Sequence, residues 1–141
     1  MMDKRFWISG VVMSIATLML GFVVHGVLLV DDYKALGSMY RSDADQMAYF
    51  PYMVAAHVLM GFAMTWIYRQ GIDTSKSPVS QGLRFGGALA LFSVIPWYLI
   101  YYAVQPLPSI LVHKQMIFDG IGMLLLGVLV AYLNPRSRTS A

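Results

Sequence analysis

The sequence predicts an all-α integral membrane protein, built as an up-and-down bundle of four transmembrane helices. Of its 141 residues, 58% are hydrophobic and only 12% are charged, whereas about a quarter of the residues in a soluble domain are charged. The apolar residues fall in four long blocks, and a helix that crosses a bilayer needs roughly 20 of them in succession. Each block is therefore expected to form one helix of a single transmembrane domain.

The four apolar blocks set the helix boundaries. The helices are predicted at about 6–30, 50–68, 83–104 and 110–133. The first block is expected to be a retained helix, because its apolar run continues to Val30 without a small-residue cleavage site. Pro51 suits the first turn of the second helix. Ser42 begins a segment that is expected to cap a short helical lead into that helix.

Basic residues are distributed unequally between the two ends of this bundle. One end carries Lys4, Arg5, Arg69, Lys76, Arg84, Arg136 and Arg138. The other end carries Lys34, Arg41 and Lys114. Because cytoplasmic loops are enriched in Lys and Arg, both termini are predicted to face the cytoplasm, and the long acidic connection 31–49 is predicted to face outward.

Asp119 lies within the fourth apolar block, where an unpaired carboxylate costs on the order of 3 kcal/mol. Its side chain therefore needs a partner inside the bundle. At ~1.5 Å rise per residue, His57 reaches a similar depth, whereas His25 lies nearer the outer surface. Gln115 is one turn from Asp119 on the same helix face. The sequence thus predicts an intramembrane polar site formed by His57, Asp119 and Gln115.

Three interpretations of the intramembrane polar residues stay open. In the first, they form a structural lock that fixes the register of the helices. In the second, they carry protons or ions. In the third, a b-type haem is bound with His25 as one axial ligand and with His57 or His113 as the other. No separate metal site is expected, and the absence of cysteine excludes thiolate ligands.

Small residues recur at four-residue spacing in the third block, at Gly82, Gly86 and Ala90. Such spacing lets two helix backbones approach closely within a membrane. A seam between two helices of this chain is favoured over a contact between subunits.

Pro96 and the aromatic residues after it mark the end of the third block. Proline removes a backbone donor and predicts a kink. Trp97, Tyr98, Tyr101 and Tyr102 follow it. These four side chains either line an outward-facing pocket beside the kink or form an interfacial aromatic belt.

Four segments carry a resemblance to a known kind of protein. They are GFVVHGVLL (Gly21 to Leu29), QGLRFGGALAL (Gln81 to Leu91), IPWYLIYYAVQPLP (Ile95 to Pro108) and KQMIFDGIGMLLLGVLVAYL (Lys114 to Leu133). Together they resemble a family of small bacterial four-helix integral membrane proteins of unknown function. The resemblance implies an inner-membrane location and four helices, and it supplies no catalytic residue.

The sequence favours a non-enzymatic function, as a structural or accessory subunit of a membrane complex or as a homo-oligomer. The alternative is a protein that transports protons or a small solute past His57 and Asp119. A haem or quinone carrier is the third hypothesis. The expected partners are the lipid bilayer and other membrane proteins. Nucleic acid is not expected, because the basic residues are spread over chain ends and loops and form no patch.

Overall fold

The computed structural model describes residues 2–73 and 75–135, and these residues are almost entirely helical. The helices are α1 (Lys4–Leu28), α2 (Val30–Lys34), α3 (Asp43–Gln70), α4 (Pro78–Val104) and α5 (Ser109–Leu133). All except the short α2 are long and apolar enough to cross a membrane. Arg136 and Arg138, which the sequence assigns to the cytoplasmic end, lie outside the described residues.

Two helices begin earlier than the apolar blocks predict, because side-chain caps start them. Ser42 caps α3 by accepting a hydrogen bond from the backbone N–H of Asp45. Pro51 consequently lies inside α3 and not in its first turn. Ser77 caps α4 in the same way, and Pro78 occupies the first turn of that helix. Polar residues thus extend both helices beyond their apolar blocks.

The four long helices form two hairpins, α1 with α3 and α4 with α5. The hairpins meet mainly where α1 packs against α5. We call the end that holds the beginning of α1, the connection 71–77 and Asn134 the terminal end. The opposite end, with the connections 29–42 and 105–108, is the distal end.

Large apolar side chains cover the outside of the bundle. Phe92 is 81% exposed and Leu59 is 71% exposed. In contrast, Met13 and Val130 are fully buried in a core cluster in the terminal half. Water-soluble proteins rarely expose large contiguous apolar surfaces. The four apolar helices and this outer surface therefore indicate a multi-pass membrane protein.

The small residues of α4 lie on the contact with α5. A Cβ atom added at Gly82 would lie 2.6 Å from both the carbonyl oxygen of Gly127 and the Cα of Val128. One added at Gly86 would lie 2.9 Å from the Cα of Leu124. Ala90 is also buried. The stripe is therefore a seam within the chain, as its spacing predicts, and the two backbones touch directly along it.

Candidate functional site

Five polar side chains from four helices meet in the distal half of the bundle. They are His25 of α1, Tyr33 of α2, Tyr98 of α4, and Gln115 and Asp119 of α5. We call this group the distal polar cluster. It joins the α1–α3 hairpin to the α4–α5 hairpin.

Asp119 is held from two sides through one carboxylate oxygen. The Nε2 atom of His25 lies 3.3 Å from Oδ2 of Asp119. The hydroxyl of Tyr98 donates a hydrogen bond to the same oxygen. The Asp119 side chain is 20% exposed, and that of His25 is 37% exposed. The carboxylate is thus paired, as its position requires, while the imidazole retains access to the surroundings.

Tyr33 continues the cluster toward the distal end. Its hydroxyl oxygen lies 2.6 Å from Nδ1 of His25 and accepts a 2.9 Å hydrogen bond from Nε2 of Gln115. Burial raises the pKa of Tyr33 to about 12, although the bond from Gln115 acts in the opposite direction. Tyr33 therefore keeps its proton near neutral pH and can donate or accept within the cluster.

An ion pair fixes α2 over the cluster. Nζ of Lys114 lies 2.9 Å from both carboxylate oxygens of Asp32. Asp32 precedes Tyr33 in α2, and Lys114 precedes Gln115 in α5. The ion pair therefore holds the two helices in the register that brings Tyr33 to Gln115.

Two π-helical segments position the side chains that meet Asp119. His25 lies inside the π segment Phe22–Leu28 of α1. The π segment Ala90–Val94 of α4 ends two residues before Pro96, and Ser93 Oγ donates to the carbonyl of Leu89 there. Proline lacks the donor that would continue the α-helical ladder. The predicted interruption at Pro96 thus includes a π segment, a feature that is frequent at functional sites.

The expected pair of His57 and Asp119 is corrected to a pair of His25 and Asp119. His57 Nδ1 instead bonds the carbonyl of Met53 at 2.7 Å, and its ring lies against Gly21. Within residues 2–73 and 75–135, no ion pair joins His57 to Asp119. Helix α3 packs mainly on α1 and has few contacts with α5. Equal depth therefore does not bring the two side chains together.

The histidines considered as haem ligands are engaged in different ways. Nδ1 of His113 bonds the carbonyl of Ser109 at 2.6 Å on an exposed part of α5. Both ring nitrogens of His25 face partners in the distal polar cluster. Axial ligation by His25 would require its Nε2 to leave Asp119 or its Nδ1 to leave Tyr33. The observed contacts thus fit a hydrogen-bonded imidazole better than a haem ligand.

The aromatic residues after Pro96 separate into two groups. Trp97, Tyr101 and Tyr102 are exposed, and the rings of Trp97 and Tyr101 lie 6.0 Å apart. Tyr98 alone of these four turns inward to Asp119. The three exposed rings therefore fit the interfacial belt, and Tyr98 belongs to the distal polar cluster.

A second polar group lies near the terminal end, and the sequence reasoning missed it. Ser9 Oγ lies 3.2 Å from Thr65 Oγ1 and accepts a 2.8 Å bond from Nδ2 of Asn134. All three residues are at most 3% exposed. We call them the terminal polar cluster. Ser9, Ser14 and Thr17 recur on one face of α1, and this polar stripe was the signal available in the sequence.

The fold and the site define a class of protein, an all-helical multi-pass type with titratable side chains between its apolar helices. Comparisons of the chain with protein-family models, with curated proteins and with solved structures found no match.

Proposed function

We propose that this chain is a small multi-pass protein of the bacterial inner membrane that binds protons at His25 and Asp119 and moves them. One observation carries the proposal. A chain of polar contacts runs from Gln115 and Tyr33 through His25 to Asp119 and Tyr98, in which hydrogen bonds flank the 3.3 Å ion-pair contact between His25 and Asp119. Ionisable residues inside membrane helices commonly serve proton or ion pathways.

The chemistry of the central pair suits proton exchange. An unperturbed imidazole changes its charge between about pH 5 and pH 8, unlike the other unperturbed side chains. The Asp119 carboxylate faces Nε2 of His25, and the Tyr33 hydroxyl faces Nδ1. A proton can therefore enter on one side of the imidazole while the other side stays paired with a carboxylate.

The proposed orientation places the distal end outside the cytoplasm. Among the described residues, Lys4, Arg5, Arg69, Lys76 and Arg84 belong to the terminal end. Excess basic charge favours the cytoplasmic side. The resemblance to small bacterial four-helix membrane proteins supports the inner membrane as the location. Protons then reach His25 from the outer side.

The close contact between α4 and α5 limits where a proton can pass. The backbones touch at Gly82, Gly86 and Gly127, on the terminal side of the distal polar cluster. Water has no room between two helices in such contact. We therefore propose that a proton does not continue through this seam unless α4 and α5 separate.

Proton flux into liposomes tests the function. The purified protein is reconstituted with a pH-sensitive dye inside the vesicles, and a potassium diffusion potential drives proton entry. We expect entry above that of protein-free liposomes, and we expect Asp119→Asn to abolish it, because an amide cannot exchange the proton. His57→Gln is the matched control and should retain flux. Wild-type flux equal to that of empty liposomes would exclude the proposal.

A structural or accessory subunit is the second candidate, because the distal polar cluster also holds the two hairpins together. The cluster links α1 and α2 to α4 and α5, and Lys114 adds a bond to Asp32. Copurification of a stoichiometric membrane partner, combined with an absence of proton flux, would support this candidate over transport.

A further inference from the structure

Gln115 contains a buried acceptor without a donor. The residue is 5% exposed, and its Oε1 atom has no hydrogen-bond partner among the described residues. Its Nε2 atom donates to the hydroxyl of Tyr33. Buried polar atoms are rarely left unpaired in native proteins, and each exception needs an explanation.

The contacts of the cluster fit an arrangement of protons in which His25 is neutral. Because Gln115 donates to Tyr33, the Tyr33 hydroxyl is free to donate its proton to Nδ1 of His25, at 2.6 Å. The proton of a neutral imidazole is then on Nε2, which faces the Asp119 carboxylate. Tyr98 donates to the same carboxylate. A neutral His25 beside an ionised Asp119 fits the contacts of both side chains.

We infer that His25 takes up the proton on Nδ1, and that the Gln115 amide then turns so that Oε1 accepts the hydroxyl of Tyr33. This inference rests on the proposed proton-binding function and names the atom and the coupled motion. Gln115 is a positioning residue in this scheme, because it acts on His25 through Tyr33.

The proton balance is simple. A proton that arrives at the distal end forms the Nδ1–H bond of His25, and no other covalent bond changes. Tyr33 keeps its own proton, turns it toward Gln115 and accepts from Nδ1. The number of hydrogen bonds in the cluster is the same before and after. The unpaired atom of the Gln115 amide changes from Oε1 to Nε2. The two arrangements can therefore interconvert reversibly.

The groups around His25 are consistent with a stabilised imidazolium. Asp119 of α5 lies against Nε2, and Tyr98 of α4 holds that carboxylate. On the α2 side are Tyr33, the ring of Tyr40 at 5.1 Å from it, and the paired Asp32 and Lys114. From α3, the nearby titratable residue is His57, which lies against Gly21. Lys114 is the cation of this set, and Asp32 already pairs with it.

Infrared difference spectra between high and low pH test the inference. As the protein takes up the proton, a glutamine carbonyl band should move to lower frequency, because Oε1 gains a hydrogen bond. The band should disappear in Gln115→Leu and in His25→Leu, and it should remain in Gln70→Leu, the control, whose amide donates to Trp66 near the terminal end. Tyr33→Phe, which preserves the ring, should also remove the band.

The outcomes separate this inference from the proposed function. Flux in liposomes is measured on the same preparations. A wild-type band that does not change with pH, or one that persists in Gln115→Leu or Tyr33→Phe, overturns the amide motion even when flux is normal. An absence of wild-type flux overturns the proposed function, whatever the spectra show.

Discussion

The distal and terminal polar clusters perform the same structural task with different chemistry. The terminal cluster joins α1, α3 and the end of α5 through Ser9, Thr65 and Asn134. The distal cluster joins α1, α2, α4 and α5 through an imidazole, a carboxyl group, two phenols and one amide. The terminal cluster contains hydroxyl and amide groups, which do not titrate, whereas the proposed proton uptake would change the bonds of the distal cluster.

The packing and the regularity of the helix backbones also differ between the two clusters. The terminal half contains the backbone contacts at Gly82 and Gly86, and its core cluster contains the fully buried Met13 and Val130. Both π segments lie farther toward the distal end. Of the two clusters, the neutral one thus lies where the helices are closely packed, and the titratable one lies where the α-helical ladder is interrupted. The close backbone contacts and the distal polar cluster are therefore separated along the bundle.

The largest expected effect comes from a substitution that disrupts the close packing of α4 against α5. Gly86→Ala should destabilise the protein by about 3 kcal/mol, because the added Cβ meets the backbone of α5, which cannot yield as a side chain would. Gly120→Ala is the matched control, since nothing lies within 4 Å of a Cβ added there. That variant should be neutral or gain up to about 1 kcal/mol from helix propensity. Thermal unfolding in detergent measures both, and equal stabilities would place the seam elsewhere.

The next effect tests the pairing in the distal cluster. Asp119→Leu should cost about 2 kcal/mol, because the partly buried donors of Tyr98 and His25 lose their acceptor. Asp119→Asn should cost less, since its amide oxygen can still accept. In a double-mutant cycle with leucine, His25 and Asp119 should be coupled by at least about 0.5 kcal/mol. The same cycle with His57 should be additive, and coupling there would restore the partner predicted from depth.

A smaller effect tests the terminal cluster. Thr65→Val keeps the shape of the side chain and removes the hydroxyl that meets Ser9, so we expect a loss of about 1 kcal/mol. The loss should be the same across the pH range in which the protein is folded, and proton flux should remain normal. A loss of flux in Thr65→Val with unchanged stability would contradict the division of tasks between the two clusters.

The smallest effect concerns the ion pair at the terminal end. Both carboxylate oxygens of Asp3 accept from Arg69, at 2.8 and 3.0 Å. The hydrogen bonds from Arg69 and from the backbone of Phe6 hold the pKa of Asp3 below its ordinary value. Asp3 therefore stabilises the fold above about pH 4, and this contribution is lost as the pH falls toward its lowered pKa. The difference in melting temperature between wild type and Asp3→Asn should shrink on acidification, while Asp31→Asn, at an exposed position, serves as a surface control.

Much of the helical architecture could be predicted from the sequence, because it depends on local patterns. Apolar block length predicts the four long helices, and the spacing of Gly82 and Gly86 predicts the seam. The need of Asp119 for a polar partner also follows from the cost of an unpaired charge among apolar helices. Polar caps such as Ser42 and Ser77 shift the helix starts by several residues, which hydropathy alone does not reveal.

The partner of Asp119 could not be predicted, because Cα depth neglects side-chain direction and helix packing. Side chains lean toward the N-terminus of their own helix. His25 therefore leans toward the terminal end, and Asp119, on an antiparallel helix, leans toward the distal end, so they meet despite different depths. Tyr98 leans inward for the same reason. The choice of neighbouring helices excludes His57, and a single sequence does not specify that choice.

The guanidinium of Arg5 donates a 3.0 Å hydrogen bond to the carbonyl of Pro135. The beginning of α1 and the end of α5 are therefore neighbours in space, although they are far apart in the chain. A short flexible linker could join them, and the chain could then be opened in the connection 71–77. Such a circular permutant would begin with the α4–α5 hairpin and end with α3, yet it would retain both hairpins and the contact between them. The order in which the ribosome makes the two hairpins is thus separable from the way they pack.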